Sequence, residues 1–172
     1  MKRFALALSA STLLALPAFA GDQYLDSTGF AVSGYDVVAY RALAQAPIGQ
    51  DQPKAVAGRA DITANHNGAT FAFATEKNRA AFLENPSYYA PAYDGHCAYG
   101  VSRGGKVPGN PHLWRIVDDV LYLNITGNVV SFWEEDIPGH IDLAEENWVS
   151  IEPNAASTNK IPNFTSPAPV QN

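Results

Sequence analysis

The sequence predicts a small single-domain α+β protein, built from β-hairpins and several short helices. Two tight-turn signals lie between β-prone runs, a threonine-capped helical segment ends at a proline, and a late apolar series has helical spacing. All three fall between residue 30 and residue 148 of a 172-residue chain.

The first twenty residues read as an export signal. Lys2 and Arg3 form a basic start, Phe4 to Leu16 is almost wholly apolar, and Ala18-Phe19-Ala20 offers the small residues a signal peptidase requires. Cleavage after Ala20 makes Gly21 the new N-terminus and places the protein in the periplasm of a Gram-negative source, or outside the cell. The apolar run is short for a membrane span and no second one follows, so no stable membrane anchor is expected after cleavage.

In the order of the chain, Tyr35 to Tyr40 is β-branched and aromatic enough for a strand after the Ser33-Gly34 turn. A polar loop containing Pro and Gly follows to about Ala60. Asn65-His66-Asn67-Gly68 is a turn between arms at Ala60 to Ala64 and Ala69 to Ala74, with Phe71 and Phe73 on one face. Thr75 caps a helix that runs to about Asn85, where Pro86 stops it. After the aromatic loop Tyr88 to Gly95, Asp94 is placed to cap a short helix from His96 to about Arg103, ended by Gly104-Gly105. Leu113 to Val117 and Val120 to Asn124 flank Asp118-Asp119 as a second hairpin. Val129, Phe132, Trp133, Ile137, Ile141, Ala144 and Trp148 then predict two short helices interrupted around Pro138-Gly139. The domain is expected to span residues 21–150. Residues 151–172, rich in Pro, Asn, Ser, Thr and Ala, are expected to form a flexible tail.

Composition narrows the function. Removing the leader takes away two basic residues and no acidic one, leaving 9 Lys and Arg against 17 Asp and Glu. An acidic chain without a basic cluster is not expected to bind nucleic acid.

The residue that concentrates the functional question is Cys97, the only cysteine, in the run Asp94-Gly95-His96-Cys97-Ala98-Tyr99-Gly100. Without a partner for an internal disulfide, an exported thiol is buried, binds something, or links two chains. A thiol in the first turn of a helix gains from the helix dipole and unpaired amides, which lowers its pKa. Soft ions such as copper or zinc require several Cys or His ligands converging on one point. No local His-x-x-x-His or Cys-x-x-Cys spacing supplies them, so a site must be assembled by the fold, with Cys97, His96 and His112 as the candidate ligands. His66, in a turn, and His140, after Pro138-Gly139, read as solvated. A thiol enzyme, with Cys97 as nucleophile and His112 or His140 as base, is the catalytic alternative. Tyr88, Tyr89, Tyr93 and Tyr99 lie close to the thiol in sequence and suit either core packing or a small-ligand pocket. Asp36 reads as a turn former or as a carboxylate supplied to a pocket. Gly104-Gly105-Lys106 lacks the spacing of a phosphate loop.

The ordered series Gly34-Tyr35-Asp36-Val37-Val38-Ala39-Tyr40, Gly68 to Ala74, Asn78 to Phe82, Asn85-Pro86, Tyr88 to Pro91, Cys97-Ala98-Tyr99, Trp114 to Val117, Leu121 to Asn124 and Trp133 to Trp148 resembles the exported YHS-domain proteins of bacteria. The resemblance spans about Phe30 to Trp148. It implies a binding domain described by its fold rather than by an activity, and a distant similarity to TRASH metal-binding modules. The cysteines of those modules correspond to Ala74 and Asn78 here, so the resemblance does not extend to their metal site. The expected function is therefore an exported, non-catalytic binding protein that takes a soft metal ion or a small ligand near Cys97. A thiol-dependent enzyme and a purely structural or interaction domain are the alternatives.

Overall fold

A computed structural model describes residues 21–166; the leader expected over residues 1–20 and the end of the expected tail, residues 167–172, lie outside them. Its order is two 3-10 turns, Val32–Gly34 and Ala39–Ala42, then β1 (Arg59–His66), β2 (Ala69–Phe73), α1 (Glu76–Glu84) and α2 (Pro86–Tyr89). A third 3-10 turn, Ala92–Gly95, leads to α3 (Ala98–Ser102), β3 (Asn110–Val117), β4 (Val120–Asn124), α4 (Gly127–Glu134) and α5 (Ile137–Ile151). The strands form two separate antiparallel hairpins, β1 with β2 and β3 with β4, so the α+β class holds. Among the described residues no helix is long and apolar enough to cross a membrane.

The chain folds the same unit twice. Each hairpin closes through a two-residue turn with both residues at positive φ, Asn67 (46°) and Gly68 (75°) in the first, Asp118 (47°) and Asp119 (62°) in the second. That geometry matches the right-handed twist of paired strands, and Asn, Asp and Gly tolerate it best. Both hairpins lose register at the same place, between Arg59 and Thr63 and between Asn110 and Trp114. Both lead to a threonine N-cap: the Thr75 hydroxyl accepts from Asn78 N–H and the Thr126 hydroxyl from Val129 N–H.

The turns that precede the hairpins also correspond. Val32, Ser33 and Gly34 have φ of 52°, 51° and 77°; Tyr93, Asp94 and Gly95 have 56°, 53° and 77°. In each unit the residue after that glycine bridges a residue just before the hairpin, Tyr35 to Ala57 and His96 to Pro108. Gly58 and Gly109 then run so close to other backbone that a Cβ would fall 2.5 Å from Ala72 C in one case and 2.6 Å from Gly95 O in the other. Only glycine permits that approach.

Two cores result. Phe71, Phe73 and Phe82, all fully buried, pack with Tyr35, Tyr40, Trp114, Leu121 and Leu123. Burial of each phenylalanine ring contributes about 2–3 kcal/mol. The second core joins Tyr93, Val101, Tyr122, Trp133 and Ala144.

Three local expectations change. Tyr35 to Tyr40 forms a bridge and a 3-10 turn instead of a strand, because the buried Asp36 carboxylate accepts from Val38 N–H (2.9 Å) and Ala39 N–H (3.2 Å) and curls the chain. Pro138 does not interrupt a helix: it sits in the first turn of the fifteen-residue α5, where its missing N–H costs nothing, and the break falls at Asp136, which caps α5. Residues 152–166, expected as a flexible tail, lie along the domain, with Ile161 buried, Phe164 packed on the first core, and Ser166 Oγ donating to Ser33 O at 2.8 Å.

Candidate functional site

Cys97 is the N-cap of α3. Its Sγ accepts from Gly100 N–H at 3.4 Å and its thiol donates to Asn124 Oδ1 at 3.4 Å, the same oxygen that accepts from Tyr99 N–H at 3.2 Å. The residue is fully buried. Burial pushes the thiol up to about 11, against the smaller pull of the amides of Gly100, Ile125 and Tyr99. The sequence expectation of a thiolate favoured by a helix start therefore fails. Five helical residues carry a weak dipole, and desolvation of the anion outweighs it. Asp94 does not cap this helix; it lies in the left-handed turn before it, at φ 53°.

The repeat explains why a thiol stands there. Cys97 occupies in the second unit the position of Asp36 in the first. The Asp36 carboxylate accepts from Val38, Ala39 and Ala74 N–H and from Asn78 Nδ2, the last two at 2.8 and 2.7 Å. The amides around the Cys97 sulfur, those of Tyr99, Gly100 and Ile125, are the counterparts of the first three. Asp36 and Cys97 thus perform one structural task, tying the turn before each hairpin to the strand that ends it.

His96 is equally occupied. Fully buried, it accepts at Nε2 from Ser157 N–H (3.1 Å), so the proton sits on Nδ1 and is donated to Tyr93 O (2.8 Å). Burial pushes this imidazole down to about 4. It is a neutral core histidine whose ring also meets Tyr24 and Trp148 edge-on or tilted.

His112 lies elsewhere, on β3. Its Nδ1 accepts from Ala55 N–H (3.2 Å), leaving the Nε2 proton facing Tyr35 Oη at 3.2 Å, and burial lowers its pKa. Cys97, His96 and His112 are not brought together. Among the described residues no group of three or more His, Cys, Asp or Glu side chains is placed to hold a metal ion. His66 and His140, expected as solvated, are half-buried: His66 packs on Phe71 and Phe82, and His140 donates from Nε2 to Phe132 O (3.1 Å) with its ring against Tyr99. Tyr88 is exposed beneath the Arg41 guanidinium, whereas Tyr93 is buried and donates to Glu145.

The accessible chemistry lies where the two units differ. Between the turn and the hairpin the first unit has twenty residues, 37–56, and the second only ten, 98–107. The extra length forms a loop held to the second unit. The guanidinium of Arg115, on β3, donates to Ala46 O and Pro47 O (3.1 and 3.3 Å) and pairs with Glu134 of α4 at 2.5 Å. Glu134 also accepts from Gly49 N–H (2.8 Å), and Trp114 Nε1 donates to Pro53 O (2.8 Å). The Arg115 and Glu134 side chains are only 8% and 7% exposed, so the pair is shielded from solvent. Under the loop opens a cleft of about 320 Å³, with Gln50, Lys54, His112, Trp114 and Ser131 in its walls. A larger recess of about 410 Å³ lies between residues 24–28 and 158–166, but its walls come from the terminal segments rather than from the paired units.

The chain matches no family model, no curated protein and no solved structure. The polar loop before Ala60 was expected from the sequence, but Lys54, the Arg115–Glu134 pair and the cleft they frame were not. The available signal was Arg115 itself, a lone cation inside the apolar run Leu113 to Val117.

Proposed function

We propose that the protein is an exported, non-catalytic binding module of the YHS type, and that its seat for a small polar organic ligand is the cleft beneath the 46–54 loop rather than Cys97. The observation that carries this reading is the loop itself. It is the segment the second unit lacks, and a shielded ion pair fixes it over an open cleft. Rigidly held loops are the usual bearers of binding groups. The cleft offers an ammonium from Lys54, an amide from Gln50 and a hydroxyl from Ser131 beside the apolar edges of Leu113 and Val130, a lining suited to a small molecule with polar substituents.

Thiol catalysis is disfavoured by a cysteine pushed up to about 11, and copper or zinc at Cys97 by the engagement of its sulfur and of both His96 nitrogens.

The test is a polar fragment library screened by amide NMR on the chain from Gly21, together with metal analysis of protein purified without chelator. Shifts at Gln50, His112 and Ser131 that vanish in Ser131→Trp and persist in Cys97→Ser support the cleft. Copper or zinc that co-purifies and disappears in Cys97→Ser overturns it.

A further inference from the structure

Asp94 carries a carboxylate oxygen without a partner. Oδ1 accepts from Gln23 Nε2, but Oδ2 is buried and no described residue donates to it. The nearby ammonium of Lys106 donates to Glu152 O (2.8 Å) and Asn154 O (2.6 Å) and lies over the Trp148 ring, and it makes neither a hydrogen bond nor an ion pair with Asp94. What lies against Oδ2 is the backbone of Gly21. Gly21 is buried, and a Cβ there would fall 2.6 Å from Asp94 Oδ2 and 2.6 Å from Glu152 O. With bond lengths near 1.5 Å, the Gly21 nitrogen is within about 5 Å of both oxygens. Tyr24 N–H donating to Asp94 O (2.9 Å) keeps residues 21–24 on this turn.

We propose that cleavage after Ala20 supplies the missing partner: the new α-ammonium of Gly21 seats on Asp94 Oδ2 and Glu152 O, an ion pair that exists only in the processed chain. This rests on the export reading above. Burial and the Glu152 carboxylate push Asp94 up to about 6, and the Lys106 ammonium offsets them only in part. In the first unit the counterpart of Asp94 is the neutral Ser33, so the carboxylate occurs only in the unit the new terminus covers. Glycine is also the residue the packing demands, since any side chain at 21 would displace the carboxylate or the Glu152 carbonyl. A precursor lacking this pair is the less stable form.

Three chains decide it: one beginning at Gly21, one beginning at Ala20, and the Gly21 chain with Asp94→Asn. The Gly21 chain is expected to melt about 4–8 °C above the Ala20 chain, the shift of one partly buried charge-assisted contact in a domain of this size. In Asp94→Asn the gain from starting at Gly21 disappears. Reductive methylation of the native α-amine at neutral pH is expected to be about ten-fold slower in the Gly21 chain than after unfolding. Equal melting of the Gly21 and Ala20 chains, or an α-amine that reacts equally fast folded and unfolded, overturns the seat even if Asp94→Asn does not fold. The intact mass of the chain exported by a Gram-negative host reads cleavage separately: a start other than Gly21 overturns the processing, whereas a Gly21 start with equal melting overturns the ion pair alone.

Discussion

Replacing Cys97 separates a structural thiol from a functional one. In Cys97→Ala the Gly100 N–H loses its acceptor inside a fully buried site, while Asn124 Oδ1 keeps Tyr99 N–H. Loss of an N-cap costs about 1 kcal/mol and the small void left by the sulfur about another 1 kcal/mol, so about 2 kcal/mol in all. At about 2–4 °C per kcal/mol for a domain of this length, the melting temperature should drop by about 4–8 °C. Cys97→Ser keeps an acceptor of the kind Thr75 and Thr126 provide and should lose about half as much. Thermal melts of the three proteins give the order, and native thiol labelling gives an independent reading. A neutral, fully buried thiol should react only through unfolding, so the labelling rate should follow denaturant concentration. If native Cys97 labels at the rate of a free thiol, or if Cys97→Ala melts with the wild type, the capping role is wrong.

Asp36→Ala should be the costlier counterpart, at about 3–5 kcal/mol, because four donors around a fully buried carboxylate lose their acceptor; a urea melt compared with that of Cys97→Ala gives the ratio. Glu134→Ala should leave the Arg115 charge shielded and unpaired at about 3–5 kcal/mol and release the 46–54 loop, which limited trypsin digestion would report as new cleavage after Lys54. The pH dependence has a defined sign. His96 is pushed down to about 4 against 6.5 for an ordinary imidazole, so between those values the unfolded chain binds more protons and stability falls on acidification, by about 3 kcal/mol; His96→Gln should flatten that slope. Asp94, pushed up to about 6 amid Glu152, Lys106 and Asp22, opposes the slope between about pH 4 and 6, because there the folded chain binds more protons. Pairing with an α-ammonium would remove that opposition, so the Gly21 chain should lose stability more steeply on acidification than the Ala20 chain.

The hairpins, the Thr75 cap and the stop before Pro86 were legible because each is set by neighbouring residues: a two-residue turn, a hydroxyl three positions from an amide, a proline without an N–H. The turn at Asp36 was not, because Tyr35 to Tyr40 has strand-like composition and a carboxylate that binds Ala74, 38 residues away, overrides it. The state of Cys97 was not legible either. Its place near a helix start could be read locally, but its pKa depends on burial under Leu123 and Asn124, which only the fold supplies. The repeat was hidden because its two copies share conformations more than residues: Asn67-Gly68 and Asp118-Asp119 make one turn, and Asp36 and Cys97 one cap.

That repeat also constrains where function can reside. Two units with the same turns, caps and close-approach glycines have their shared positions accounted for by folding, and Cys97, the most conspicuous residue of the sequence, is one of those positions. Features without a counterpart need another reason. The 46–54 loop is one: its buried ion pair requires Arg115 and Glu134, where the first unit has Ala64 and the exposed Leu83. Asp94 is another, a half-buried carboxylate where the first unit has the neutral Ser33. A shielded ion pair is a weak source of net stability, and a desolvated carboxylate that Lys106 offsets only in part works against it. Stability alone therefore explains neither.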